Sequence, residues 1–417
     1  MSSYIKIYKE KSSLCGSVSI TGSKSVSNRL LILKAIYKDD IQIDNLSNCE
    51  DTEVLKKSLT STSNILDIHH AGTAMRFLTS YFAIQEGKEI VLTGSDRMKE
   101  RPISVLVEAL KKLGSEIFYL EKQGYPPIKI FGKKILGGKI DIDAKISSQY
   151  ISSLMLIASQ FKKGLKIYLR GNITSIPYIK MTFDLLTLAG VKTYWKEKVI
   201  HIYPEKDKGK KYFYVESDWS SASYYYSMAA IAKQSHITLS SYNNDSLQGD
   251  RKVASIYDKN FGISTVFDKN AITLKKKLNF FSQKFIELNL NQTPDIAQTI
   301  VVTCAALEIK CNLKGLETLK IKETDRLLAL KEELLKFGVI TKITDSCLEI
   351  TDFSRKKINS FVRIKTYQDH RMAMSFTPFG LCSSFLQIEE PSVIEKSYPN
   401  FWKDLKFLGF SIDYYEE

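Results

Sequence analysis

A helical stretch that ends in an apolar residue and glycine, followed at once by a strand-like run, recurs along this chain. Leu110-Lys111-Lys112-Leu113-Gly114 precedes Ser115-Glu116-Ile117-Phe118-Tyr119, and the same succession returns around Gly190, Gly262, Gly338 and Gly409. Glycine suits a helix C-terminus because it enters the left-handed region without the clash a Cβ brings. Successive glycines stand 76, 72, 76 and 71 residues apart. Such a period exceeds that of the common solenoid repeats, which run to roughly 50 residues, and it fits a larger unit of two helices and several strands. Counting back places a sixth copy near the start of the chain. Leu55-Lys56-Lys57-Ser58-Leu59 reads as its helix, but the glycine and strand that should follow are eroded. Six units in 417 residues, too many for one ordinary core, predict two domains.

Charge narrows the partner. The formal net charge is +14, which suits nucleic acid, a membrane surface or a phosphorylated metabolite. Much of the excess is lysine in runs such as 206–211 and Lys275-Lys276-Lys277, which read as solvated surface. No nucleic-acid-binding signature accompanies them. A basic nucleic-acid binder would interleave aromatic residues with basic stripes, whereas the arginines here stand singly at helix starts. No apolar run approaches the roughly 20 residues of a membrane span, and the opening Met1–Ile7 stretch carries no signal-peptide core. The six cysteines are scattered with no Cys-x-x-Cys pair, which argues against a zinc ribbon or disulfide framework and fits a reducing cytoplasm.

The chemistry gathers where helices begin. Lys24-Ser25, Gly72-Thr73, Glu100-Arg101-Pro102, Ser147-Ser148-Gln149, Ser175-Ile176-Pro177-Tyr178, Asp218-Trp219, Pro294-Asp295, Lys322-Glu323-Thr324-Asp325-Arg326 and Asp369-His370-Arg371 each precede or open an apolar-periodic stretch. Pro102 suits a first helical position. Helix N-termini present unpaired N–H groups and the positive end of the dipole, so they bind anions. Taken singly, each cluster is an ordinary N-cap. Several also carry Lys or Arg, which the dipole disfavours at that end unless an anion lies nearby. The recurrence of that conflict points to a phosphorylated substrate held among helix ends. Asp295 and Glu323 are the carboxylates placed for proton transfer.

In the order they occur, these clusters resemble the enolpyruvyl transferase family, in its shikimate-pathway branch. The matching stretches are Gly22–Arg29, Ala71–Arg76, Arg97–Pro102, Gly124–Pro127, Ser147–Gln149, Pro177–Ile179, Pro294-Asp295, Lys322–Leu327 and Asp369–Met374. The resemblance runs from about Gly16 to Pro399, nearly the whole chain. It implies an α/β fold, a two-domain inside-out α/β barrel in which each domain holds three βαβαββ units. One domain would span 22–216, and the other would join 1–21 to 217–417.

The resemblance also implies the chemistry. The enolpyruvyl group of phosphoenolpyruvate would pass to the 5-hydroxyl of shikimate 3-phosphate by addition and elimination, with no cofactor and no metal. Shikimate 3-phosphate would be held by Lys24, Ser25, Arg29, Ser147, Ser148, Gln149, Ser175 and Tyr178, with Asp295 and Lys322 near its ring hydroxyls. Phosphoenolpyruvate would be held by Lys24, Gly72, Arg101, Gln149, Arg326, Arg371 and Lys396. Asp295 would take the hydroxyl proton, Glu323 would handle the methyl proton, and Lys24 would assist phosphate departure. The implied protein is a cytoplasmic monomer, independent of nucleic acid and membrane, and a target of glyphosate.

Two departures from the family pattern stand out. His70 replaces the usual asparagine before Ala71-Gly72-Thr73, and Thr318 stands where some relatives have asparagine. The cell-wall branch of the family, which uses a nucleotide sugar, typically carries a cysteine in the loop that here reads Asp96–Pro102 without one. It also lacks paired serines before the glutamine matching Gln149.

Overall fold

The computed structural model of the chain describes residues 3–9, 13–145, 147–204, 209–281, 283–354, 361–382 and 386–416. Of the 206–211 lysine run, residues 206–208 lie outside that set. The chain divides into two compact units: an inserted unit, Gly22–Val215, and a split unit that joins Met1–Thr21 to Glu216–Glu417. Glu216 belongs with the split unit rather than with the stretch before it, because its buried carboxylate accepts hydrogen bonds there. The donors are Trp219 Nε1, the Asn243 N–H and Gln248 Nε2, each at 2.9 Å.

The glycine period is a topological one. Among the described residues the strands form six sheets, five of four strands and one of two. In the repeat that begins at residue 138, strand Gly138–Asp143 runs parallel to Leu165–Arg170. Leu165–Arg170 pairs antiparallel with Val199–Ile202, which pairs antiparallel with Thr193–Lys196. The strand order third-fourth-second-first recurs in all five larger sheets. Two repeats are stitched together across the chain. Ser13–Val18 supplies the first strand of the sheet completed by Gln234–Ser240, Ile263–Asp268 and Ala271–Lys276. Ser3–Tyr8 supplies the fourth strand beside Ser411–Glu416 and Leu386–Glu389.

The eroded sixth repeat has a structural meaning. Lys211–Tyr214 pairs parallel with Ile41–Asp44, and among the described residues no further strand joins them. Its second helix, Glu50–Thr60, is present as expected. After that helix the chain enters Ile65–Asp67, the first strand of the next sheet, with no hairpin between. The lost glycine and the lost hairpin are one deletion.

Each repeat supplies two helices with different duties. The first helices are α1 (Lys24–Tyr37), α3 (Gly72–Ala83), α5 (Ser148–Ile157), α7 (Trp219–Ile231), α9 (Ala297–Ala306) and α11 (His370–Phe376). The second helices are α2 (Glu50–Thr60), α4 (Ser104–Lys112), α6 (Ile176–Leu188), α8 (Lys252–Phe261), α10 (Arg326–Leu335) and α12 (Phe401–Phe407). Every residue of α7 from Trp219 to Ala230 is buried, as is every residue of α11. A helix buried on all faces belongs at a centre. Small hydroxyls at the repeat spacing join the three central helices of the split unit. Ser223 Oγ lies 3.0 Å from Thr299 Oγ1, and Thr299 Oγ1 lies 3.5 Å from Ser375 Oγ, each pair 76 residues apart. In the inserted unit Ser80 and Ser153 meet at 2.5 Å. Paired hydroxyls satisfy one another and allow close backbone approach where larger groups would not fit.

The second helices are amphipathic, as in α10, where Arg326, Leu327, Ala329, Leu330, Glu333 and Leu334 turn inward. The repeat glycines end these helices at positive φ, 68° at Gly262 and 71° at Gly338. One of the lysines read as solvated surface has a structural task. Lys276 Nζ donates to the carbonyls of Ala230 and Ala232 at 2.7 and 2.6 Å, closing the C-terminus of α7, where a cation meets the negative dipole end. Among the described residues no helix is long and apolar enough to cross a membrane.

Candidate active site

In the split unit, five of the expected site residues gather around a sixth, Arg326. It opens α10, and Asp325 caps that helix by accepting from the N–H groups of Leu327 and Leu328 at 3.1 and 3.2 Å. A cation in the first turn opposes the dipole, and carboxylates answer it. Arg326 Nη2 lies 2.8 Å from Glu323 Oε2, Nε lies 2.6 Å from Asp369 Oδ2, and Nη1 lies 3.4 Å from Asp295 Oδ1. Asp295 also meets Arg371 Nη2 at 3.2 Å and Lys322 Nζ at 3.5 Å. Lys396 Nζ, buried rather than on the surface, stands 3.8 Å from Glu323 Oε1. Asp369 is fully buried and caps α11 by accepting the Arg371 N–H at 2.8 Å. From α7, the buried Tyr224 hydroxyl meets Arg371 Nη1 at 3.4 Å.

These pairings set the electrostatics. Burial alone would raise the Asp295 carboxyl, but Arg371, Lys322 and Arg326 outweigh it and hold the group well below the usual carboxylate range. Burial opposes the Arg326 charge, yet Asp369 and Glu323 prevail and keep its pKa above its ordinary value. Asp250, buried and bonded by Ser220 Oγ, is pushed up to about 7, first by burial and then by the charge of Asp295. Four cations thus share three close carboxylates. An incoming anion can take over some of these pairings and leave Asp295 and Glu323 beside it.

The inserted unit holds the remaining expected residues in linked groups. Lys24, first in α1, pairs with Asp51 Oδ2 at 3.0 Å. Arg29 is buried and bonded through all three nitrogens: to Thr182 Oγ1 at 2.7 Å, the Ser25 carbonyl at 2.7 Å, and Ser152 Oγ and the Tyr178 carbonyl at 3.2 Å. Among the described residues no carboxylate pairs with it, and burial pulls its pKa down to about 10. Ser147 caps α5 by accepting the Gln149 N–H at 3.2 Å, and Gln149 Nε2 donates to Thr73 Oγ1 at 3.2 Å. This bond ties the Ser147-Ser148-Gln149 cluster to the start of α3. Ser175 stands just before α6 in the left-handed region at φ 53°, without a side-chain capping bond. Gly72 opens α3 directly against Arg101. A Cβ at Gly72 would stand 2.6 and 2.8 Å from the two terminal guanidinium nitrogens. The buried Nε of Arg101 has no hydrogen-bond partner among the described residues.

Pro102 does not open a helix, since α4 begins at Ser104. Its carbonyl instead accepts from Arg76 Nη2 at 3.1 Å and Tyr150 OH at 2.5 Å. Arg76 Nη1 also donates to the Gly72 carbonyl at 3.0 Å, so one buried arginine of α3 ties its own helix start at Gly72 to the loop that presents Arg101. His70 Nδ1 lies 2.9 Å from Ser95 Oγ, the cap of the short helix Asp96–Lys99.

A family model described as EPSP synthase (3-phosphoshikimate 1-carboxyvinyltransferase) matches residues 8–62 and 54–405. The chain belongs to the EPSP synthase family. That membership makes it an enzyme, a transferase of the shikimate pathway. The 3-phosphoshikimate 1-carboxyvinyltransferase of Bacteroides fragilis strain YCH46 is 41% identical over 409 residues, 97% of this chain and 98% of that protein. The protein of the same name from Pasteurella multocida is 33% identical over 420 residues, 93% of this chain and 94% of that protein. The solved EPSP synthase of Acinetobacter baumannii aligns with a TM-score of 0.78 at 20% identity, covering 99% of this chain and all of that one. That likeness shows the fold.

Sequence reasoning gave no role to several residues that the structure ties to the expected site residues of their own unit. Asp369 lay inside a quoted motif, and its capping position was its signal. Arg76 also lay inside a matching stretch, whereas Tyr224, Asp250 and Asp51 carried no local signal, because their partners stand about 20 to 150 residues away in sequence.

Proposed function

We propose that this chain transfers the enolpyruvyl group of phosphoenolpyruvate to the 5-hydroxyl of shikimate 3-phosphate and releases phosphate, by addition and then elimination. The observation that carries the reading is the pairing of Arg326 with both Asp295 and Glu323, which sets two carboxylates beside anion-binding guanidiniums. The 5-oxygen bonds to C2 while C3 gains a proton. The bond from C2 to the phosphate oxygen then breaks, and the new methyl group loses a proton. Asp295 takes the hydroxyl proton, Glu323 serves C3, and Lys24 meets the charge on the departing phosphate.

Arg326, Arg371 and Lys396 hold phosphoenolpyruvate, with Gly72, Arg101, Gln149 and Lys24. Shikimate 3-phosphate takes Lys24, Ser25, Ser147, Ser148, Gln149, Ser175 and Tyr178, with Asp295 and Lys322 at its hydroxyls. Arg29, bonded to the protein through all its nitrogens, acts by its charge and by fixing Ser25 and Tyr178. The depressed Asp295 carboxyl makes a weak base while Arg371, Lys322 and Arg326 face it alone. When phosphoenolpyruvate shares Arg326 and Arg371, that field divides and Asp295 gains basicity as the reactants assemble. A cytoplasmic monomer belongs to the same reading.

The methyl intermediate gives a direct test. In deuterated water the enzyme should place deuterium in the vinyl methylene of the product, because a rotating CH2D group loses either isotope. Product formed with no deuterium there would rule out protonation at C3.

A further inference from the structure

We infer that Glu333 is a positioning residue for this reaction, acting with Tyr367 to hold the turn that delivers Asp369 and Arg371. The inference rests on the reading above, in which Arg371 holds phosphoenolpyruvate.

Helix α10 grips the following segment at both of its ends. At its head Arg326 binds Asp369 through Nε at 2.6 Å and Nη2 at 3.3 Å. Two turns later, on the same inward face, Glu333 is fully buried. A buried carboxylate is costly unless its oxygens are bonded, and here they are spent on one target. Oε2 accepts the Lys365 N–H at 3.1 Å and Lys336 Nζ at 2.6 Å, and Oε1 accepts the Tyr367 hydroxyl at 2.8 Å. Lys336 Nζ donates onward to the Arg363 carbonyl at 2.8 Å. Glu332 Oε2 lies 2.7 Å from the same hydroxyl, whose single proton the two carboxylates share.

Between the two grips the backbone stands where it does not rest by itself. Tyr367 and Gln368 have φ of 53° and 54°, consecutive left-handed residues with neither a glycine. Such residues persist only where their surroundings over-determine them. This double turn sets Asp369 as the cap of α11 and brings Arg371 to Asp295. Asp295, Lys322 and Glu323 come from other segments. Loosening the turn therefore moves Arg371 against carboxylates that stay in place.

The role predicts an asymmetric kinetic effect. Tyr367→Phe removes one hydroxyl and keeps the ring, so the fold survives. Glu333→Gln keeps the size and one acceptor. Tyr367→Phe should raise KM for phosphoenolpyruvate about tenfold, the cost of one part-buried hydrogen bond to a charged group, and lower kcat. KM for shikimate 3-phosphate should stay within about twofold on the same scale. Glu333→Gln should fall between Tyr367→Phe and wild type. A merely structural role would lower the active fraction and leave both KM values alone. Unchanged KM for phosphoenolpyruvate in both variants, or equal rises for both substrates, would overturn the inference. Hydrogen exchange decides it without activity: amides 365–371 should exchange faster in Tyr367→Phe while Leu327 and Leu328 keep their protection, and unchanged exchange at 365–371 overturns it. Should the wild type transfer nothing, the functional reading falls, and the exchange result still judges the clamp.

Discussion

Replacing Asp295 by alanine should lower kcat about a hundred- to ten-thousand-fold, the usual worth of a positioned proton acceptor, without raising KM for phosphoenolpyruvate. The second half follows from the pairings. Asp295 occupies Arg371, Arg326 and Lys322, so its removal frees cations for an anionic substrate. A loss confined to kcat marks an interaction that matters in the transition state rather than in binding. Asp295→Asn provides the control, since it keeps the shape and removes the basicity. Both variants should stay folded by circular dichroism, because Arg326 retains Glu323 and Asp369. Near-normal turnover in either variant would take Asp295 out of the mechanism.

Gly72→Ala should weaken inhibition by glyphosate far more than it weakens use of phosphoenolpyruvate. EPSP synthases are the target of glyphosate, and in this chain the helix start at Gly72 touches the Arg101 guanidinium. An alanine Cβ would stand 2.6 to 2.9 Å from three atoms of that group. The obstacle is the far end of a flexible side chain, so the protein folds and Arg101 shifts. The inhibitor is longer than the substrate and has less room to follow. A forced fit of one methyl in a packed site costs about 1–3 kcal/mol, or about 5- to 150-fold in the inhibition constant. The rise in KM for phosphoenolpyruvate should be several times smaller. Equal inhibition constants for wild type and variant would show that position 72 does not gate the inhibitor.

The repeat was legible because it rests on local physics. A glycine that ends a helix at positive φ leaves its mark in one residue, and Gly114, Gly190, Gly262, Gly338 and Gly409 all take positive φ. The missing sixth glycine foretold a missing hairpin for the same reason. The conflict of basic residues at helix starts was also readable, but only half of its resolution was. Lys24, Arg326 and Arg371 are answered in part by the protein's own Asp51, Asp369, Glu323 and Asp295. Arg29 and Arg101 have no carboxylate partner among the described residues. The Asp51 pairing and the Glu333 clamp are tertiary contacts, and no spacing or propensity announces them. Pro102 misled because proline suits a first helical position, whereas here its carbonyl was wanted by Arg76 and Tyr150.

Release of inorganic phosphate from phosphoenolpyruvate, measured with and without shikimate 3-phosphate, tests the central claim most directly. The account predicts stoichiometric phosphate only when both substrates are present, matched by consumption of shikimate 3-phosphate and appearance of its enolpyruvyl ether. Phosphate released at the same rate without shikimate 3-phosphate, or none released with it, would contradict the account.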